Sequence, residues 1–125
     1  MGEHSVTSVI KKQKLMAIIK IRPLSVNLCW QGRRFKTPAY KSYEQEMFCL
    51  LPKMKIPKGK LAMRIVWGFS SKANDLDNPV KPLIDILQKK YGFNDKWIYK
   101  LEVEKKDVEK GQEYISFQFT RLLSN

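Results

Sequence analysis

Acidic residues are scarce in this 125-residue chain: 12 Asp and Glu stand against 24 Lys and Arg, a formal net charge of +12. Histidine and cysteine are scarcer. His4 is the single histidine, and the two cysteines, Cys29 and Cys49, lie far apart with no histidine nearby. This argues against a zinc site or a Cys–His catalytic pair and leaves two thiols in a reducing compartment. No apolar run approaches the roughly 18 residues of a membrane span. The opening MGEHSVTSVIKKQK lacks the apolar stretch of a secretory signal. Gly2 followed by Glu3 is a weak myristoylation match. Low-complexity tracts and internal repeats are missing as well, which argues against disorder and solenoids. With 43% hydrophobic residues, the chain is expected to fold as a single domain over residues 1–125, with 1–13 as a loose N-terminal arm, in the cytoplasm.

What is abundant is positive charge, unevenly placed. Residues 1–74 hold 15 basic and 3 acidic side chains, whereas 75–125 hold 9 of each. Between Glu3 and Glu44 lie nine basic residues and no acid. A field of this kind draws polyanions, so nucleic acid is the expected partner. The basic residues spread over strands and loops, which disfavours a membrane-surface helix.

Periodicity gives the element order. KLMAIIKIR (14–22) is a strand, and Pro23, Ser25, Asn27 and Gly32 mark the loop after it. Thr37-Pro38 opens a helix with Tyr40, Tyr43, Met47, Phe48 and Leu51 at helical spacing, stopped by Pro52. A basic loop leads to a strand over 60–69, with Leu61, Met63, Ile65, Trp67 and Phe69 on one face. A second helix begins near Asn78, carries the stripe Val80, Leu83, Ile84 and Leu87, and ends before Gly92; Pro82 is expected to kink or tighten its first turn. IYKLEVEKK and YISFQFTRL alternate as two further strands and predict an antiparallel hairpin. The expectation is an α+β fold of order β-α-β-α-β-β, a mixed four-stranded sheet with two helices on one face.

Against the shortage of acid, NDLDNPVKPLID (74–85) is conspicuous. Asp75 and Asp77 would present two carboxylates from one side of an extended segment at a strand-to-helix junction. Hard oxygen donors in that arrangement suit Mg²⁺, which keeps waters and binds phosphate oxygens. Lys81 is one helical turn on, and Asp85 a further turn, placed to pair with and orient it. Asp95, in GFNDKW, is a third carboxylate whose approach depends on tertiary packing. The competing reading is that Asp77 or Asn78 simply caps the helix.

DLDNPVKPLIDIL followed by GFNDKWI resembles the RusA-type Holliday-junction resolvases, whose pattern is D-x-D-N-x-x-K, a helix, then Asp after a Gly-containing turn. PLSVN and GRRFKTPAYKSY are similar to the N-terminal part of that family, so the likeness spans roughly residues 20–106. The resemblance implies a homodimeric α+β endodeoxyribonuclease that binds four-way DNA junctions in recombination and repair. It nicks two strands symmetrically with Mg²⁺ or Mn²⁺, leaving 5′-phosphate and 3′-hydroxyl ends. The implied catalytic and metal carboxylates are Asp75, Asp77 and Asp95, with Lys81 as the essential lysine and Asp85, Asn78 and Asn27 in support. A nucleoid-associated location and a phage or prophage origin are also implied. Asn74 departs from the arginine that members often carry there, with Lys72 as the expected substitute. Asp95 is flanked by Asn94 and Lys96 where a second carboxylate is common.

Arg33, Arg34, Lys36 and Lys41 form the strongest cluster for DNA backbone contact, interleaved with Trp30 and Phe35. Those two rings either stack at an opened junction or pack under the loop. The stripe Tyr40, Tyr43, Met47 and Phe48 is core or dimer interface. The alternatives to a nuclease are a non-catalytic basic nucleic-acid-binding protein and a degenerate junction binder.

Overall fold

The computed structural model describes residues 14–123; the N-terminal arm expected over 1–13 lies outside them. The strands are β1 (Lys14–Ile19), β2 (Trp30–Gln31), β3 (Phe35–Lys36), β4 (Leu61–Phe69), β5 (Ile98–Asp107) and β6 (Tyr114–Arg121). The helices are α1 (Pro38–Leu50) and α2 (Val80–Tyr91), with short 3₁₀ turns at Val26–Leu28 and Asp95–Trp97. The expected α+β order holds, with a two-stranded β2–β3 ribbon added inside the loop before α1.

Local chemistry sets both helices. The Thr37 hydroxyl accepts from the Tyr40 N–H at 3.1 Å, and Pro38 occupies the first turn, where an N–H has no partner anyway. Helix α2 continues unbroken past Pro82, which sits buried in its first turn for the same reason. It ends at Gly92, whose φ of 72° is the left-handed conformation that glycine adopts without steric cost.

The main sheet has the order β1-β6-β4-β5, with β6 antiparallel to both β1 and β4, and β5 parallel to β4. The predicted β5–β6 hairpin does not form, because β4 lies between the two strands. Burial explains the choice. Ile115, Phe117 and Phe119 of β6 are completely buried, which requires a central position. On β5, Tyr99 and Leu101 stay exposed among Lys100, Glu102, Lys105 and Lys106, a charged composition suited to an edge. A parallel neighbour needs a crossover, and α2 provides it.

One face of the sheet carries the odd-numbered residues of β4, β6 and β1, packed with Tyr40, Tyr43 and Met47 of α1 and Leu83, Ile86 and Leu87 of α2 in one core. The Tyr40–Met47 stripe is therefore core. On the opposite face Met16 and Ile18 are 53% and 59% exposed, and the ring of Tyr114 lies over Gly68. The helices are stapled by Lys90 Nζ donating to Phe48 O at 3.1 Å and the Tyr91 hydroxyl donating to Pro52 O at 2.6 Å.

Candidate active site

Strand β4 delivers the chain at Phe69 into an exposed loop that returns to α2. Three carbonyl oxygens of this loop, two residues apart, are gripped by three different segments. Lys105 Nζ on β5 donates to Asn74 O at 2.8 Å, and Trp67 Nε1 on β4 donates to Leu76 O at 2.8 Å. The Val26 N–H, from the PLSVN turn, donates to Asn78 O at 2.9 Å. The intervening Asp75 and Asp77 are thus carried on anchored backbone with exposed side chains. The Asn74 amide closes the loop behind them on Ser71 O at 3.1 Å.

The capping alternative does not survive. The N-cap position of α2 is Pro79, and no side chain caps the helix. Asn78 turns its amide to Asp75 Oδ2 at 3.0 Å instead, and Asp77 meets the helix only through its carbonyl, which accepts from the Val80 N–H at 3.0 Å. The asparagine of D-x-D-N therefore orients the first aspartate of the pattern.

Lys81 Nζ donates to Asp85 Oδ1 at 2.9 Å, one turn further on, as the spacing predicts. That hydrogen bond raises the lysine's pKa against a smaller opposing effect of burial, and the charges of Asp85 and Asp95 raise it further. The ammonium therefore persists beyond the ordinary lysine range. Asp95 opens the 3₁₀ turn after α2, where its N–H donates to Gln88 Oε1 at 2.8 Å. The fold thus brings Asp95 within electrostatic reach of Lys81. It does not close Asp75, Asp77 and Asp95 into a cluster: among the described residues no three His, Cys, Asp or Glu groups converge to hold a metal. The donor chemistry still fits Mg²⁺ at the aspartate pair, since that ion takes one or two protein carboxylates and completes its shell with water and phosphate oxygens.

The cationic residues divide by environment. Arg33 and Arg34 are exposed at the turn of the β2–β3 ribbon, Lys41 is exposed on α1, and Lys72 is exposed in the aspartate loop. Lys36 is engaged differently: it pairs with Glu44 at 2.8 Å and lies over the Tyr40 ring at 5.2 Å. Asn27 sits in the 3₁₀ turn next to the Val26 anchor, its N–H donating to Ser25 Oγ at 3.1 Å. Trp30 and Phe35 are 42% and 72% exposed, so neither ring is packed under the loop.

Sequence reasoning missed Trp67 and Lys105. Lys105 carries a legible signal: it continues the alternation Tyr99, Leu101, Val103 and places a lysine where an apolar residue is expected. It also bears on the departure at Asn74. The cation touching that position is Lys105, whereas Lys72 was the expected substitute.

The family model described as Endodeoxyribonuclease RusA matches residues 19–116. This chain belongs to that family, and membership implies a junction-resolving endonuclease acting on branched DNA. No curated protein matches the chain. No helix among the described residues is long and apolar enough to cross a membrane.

Proposed function

We propose that the chain, one domain over residues 1–125, acts as a cytoplasmic homodimer that resolves four-way DNA junctions by paired nicks with Mg²⁺. The observation that carries this reading is the aspartate loop, anchored at three carbonyls while its carboxylates are not spent on the helix. Grouping carboxylates costs free energy unless a cation lies between them, and a chain with net charge +12 has cationic alternatives everywhere.

Asp75 and Asp77 would hold the metal, which when bound polarises the scissile phosphate and acidifies an attacking water. The protein's own part is positional and electrostatic. Asn78 fixes the Asp75 carboxylate. Lys81, steered by Asp85, offers a permanent positive charge to phosphate oxygens as their charge grows. Asp95 supplies the third carboxylate near that lysine. Arg33, Arg34, Lys41 and Lys72 contact the backbone of the junction arms. Two matched nicks call for two equivalent sites, which an isologous dimer presents; sedimentation should therefore report about twice the 14.7 kDa chain mass.

The decisive test is single-turnover cleavage of one four-way junction by Asp75→Asn, Asp77→Asn, Asp95→Asn and Lys81→Ala. Each should lose orders of magnitude, since removing one charge-stabilising group costs ~3–4 kcal/mol. Metal-free junction affinity should hold or rise for the three aspartate variants and should not rise for Lys81→Ala. Near-parental cutting by Asp77→Asn or Asp95→Asn would falsify the assignment. Cleavage absent from the parent with Mg²⁺, but intact junction binding, would identify a degenerate binder.

A further inference from the structure

The aspartate loop begins at Ser70, directly after β4, and its entry is held by a charge inside the protein. Glu113, at 8% exposure, is the only buried charged side chain among the described residues. Its Oε2 accepts from the Ser70 hydroxyl at 2.5 Å and its Oε1 from the Gly111 N–H at 3.0 Å, and Arg22 Nη2 lies 3.7 Å from Oε2. We infer that Glu113 is a positioning residue for cutting: it fixes the start of the aspartate loop and, through Arg22, ties it to the segment that holds the loop's end. The consequence for cutting rests on the nuclease reading above; the fastening of the loop does not.

The position of Glu113 supports this. It continues the alternation of Ile115, Phe117 and Phe119, all completely buried on the core face of β6, and so stands where an apolar residue is expected. A residue serving stability alone would be apolar here, because burying a charge costs free energy that a hydrophobic side chain avoids. Lys105 breaks the alternation of β5 in the same manner and grips Asn74 O. Two charged side chains thus interrupt core-facing rows near the strand ends beside one loop, and each bonds that loop.

The grip reaches Asp75 through short local steps. Ser71 Oγ accepts from the Ala73 N–H at 3.2 Å, and Ser71 O accepts from the Asn74 amide at 3.1 Å. The Ser71 turn therefore follows the Ser70 anchor directly and delivers Asn74 beside Asp75. At the far end the Val26 N–H holds Asn78 O. Arg22 and Val26 belong to one short segment, which meets the loop's entry through Glu113 and its exit directly. A carboxylate suits this post, having two acceptor oxygens and no donor; an amide would turn its NH₂ toward one of the three donors. The Ser70 hydrogen bond prevails over burial and holds the Glu113 carboxyl below the ordinary glutamate value, so the group is charged at neutral pH.

The test compares Glu113→Gln, Ser70→Ala, Ser70→Thr and the Glu113→Gln/Ser70→Ala double variant in the full chain. Amide hydrogen exchange is followed by NMR on the metal-free protein without DNA, and single-turnover cleavage with Mg²⁺ on one saturating four-way junction. In Glu113→Gln and Ser70→Ala the Ala73 and Val26 N–H groups should exchange about tenfold faster, while Phe117 in the middle of β6 keeps its parental rate. The maximal cleavage rate should fall about tenfold, with metal-free junction affinity unchanged. Ser70→Thr retains the hydroxyl and should restore both readouts. The double variant should be no slower than the slower single, because both changes remove the same contact. Should Glu113→Gln fail to fold, the Ser70→Ala and Ser70→Thr pair, at an exposed position, decides the question. Parental exchange at Ala73 and Val26, equal acceleration at Phe117, parental cutting, or losses that multiply in the double variant would each overturn the positioning role. A parent that cannot cut the junction, with exchange altered as expected, would refute the nuclease reading and keep the fastening of the loop.

Discussion

Trp67→Phe tests whether the anchored loop positions the aspartates or merely follows them. Trp67 is completely buried in β4, and its indole N–H makes the 2.8 Å bond to Leu76 O midway between Asp75 and Asp77. Phenylalanine keeps an aromatic ring in the core but deletes that donor and part of the volume. Leaving a carbonyl without its partner costs about 1–3 kcal/mol. The space vacated by the smaller ring adds roughly 1 kcal/mol, so urea unfolding should report a loss of about 2–4 kcal/mol. The catalytic effect should exceed what that loss explains. A loop released at its middle anchor shifts both carboxylates, and misplacement of about 1 Å costs on the order of 10²-fold in rate. Single-turnover cleavage under conditions where the variant is fully folded should therefore fall 10- to 100-fold, while metal-free junction affinity stays at the parental value. A variant that is destabilised yet cuts at the parental rate would refute the positioning role and leave Trp67 as core alone.

Glu44→Gln should destabilise the fold at neutral pH by about 1–3 kcal/mol, because it releases Lys36 and Lys89 together. Burial opposes ionisation of Glu44, but its two lysine hydrogen bonds prevail and hold its pKa below 4.5. Its contribution is thus fully present above pH 4.5 and lost as pH falls through the folded value, so the parent and variant unfolding curves should converge in acid. Gly68→Ala would drive a Cβ into the Tyr114 ring at Cδ1. It should cost ~1–3 kcal/mol by overpacking, partly recovered in the Gly68→Ala/Tyr114→Ala double variant. Junction binding should weaken with salt at a log–log slope near −5 if about six phosphates are neutralised, and reversing Arg33 and Arg34 should flatten it for every DNA. A slope near zero in the parent would remove the electrostatic account.

The parts of the fold legible in the sequence are those that local periodicity controls. Leu61 to Phe69 alternate because one face of β4 is core, and the stripe Leu83, Ile84, Leu87 ending before Gly92 delimits α2. Strand partners are not local. The alternation in 98–107 and 114–121 identifies two strands but carries no record that β4 separates them. The site divides in the same way. The Lys81–Asp85 pair follows from helical spacing, and Asp75 and Asp77 stand out against a basic composition. That Asn78 serves Asp75 and not the helix is a local contact that spacing does not dictate, and that Trp67 and Lys105 grip the loop from separate strands depends on β4 and β5 lying side by side.

The placement of β6 has a consequence for how the molecule is made. Lys14 of β1 pairs with Thr120, and Leu61 of β4 with Arg121, so β6 alone joins the first strand to the rest of the sheet. Until residues 114–121 have been synthesised and have left the ribosome, β1 has no hydrogen-bonding neighbour and the core lacks Ile115, Phe117 and Phe119. Closing a pairing across nearly the whole described chain is slow, because its loop entropy is lost before any contact repays it. The β4–α2–β5 unit bearing Asp75, Asp77 and Lys81 is contiguous and can begin to form earlier, yet it stays exposed on the β4 edge until β6 docks. The nascent chain therefore carries the aspartate loop on an incomplete sheet until β6 docks, and loss of β6 would abolish the fold and not just shorten it.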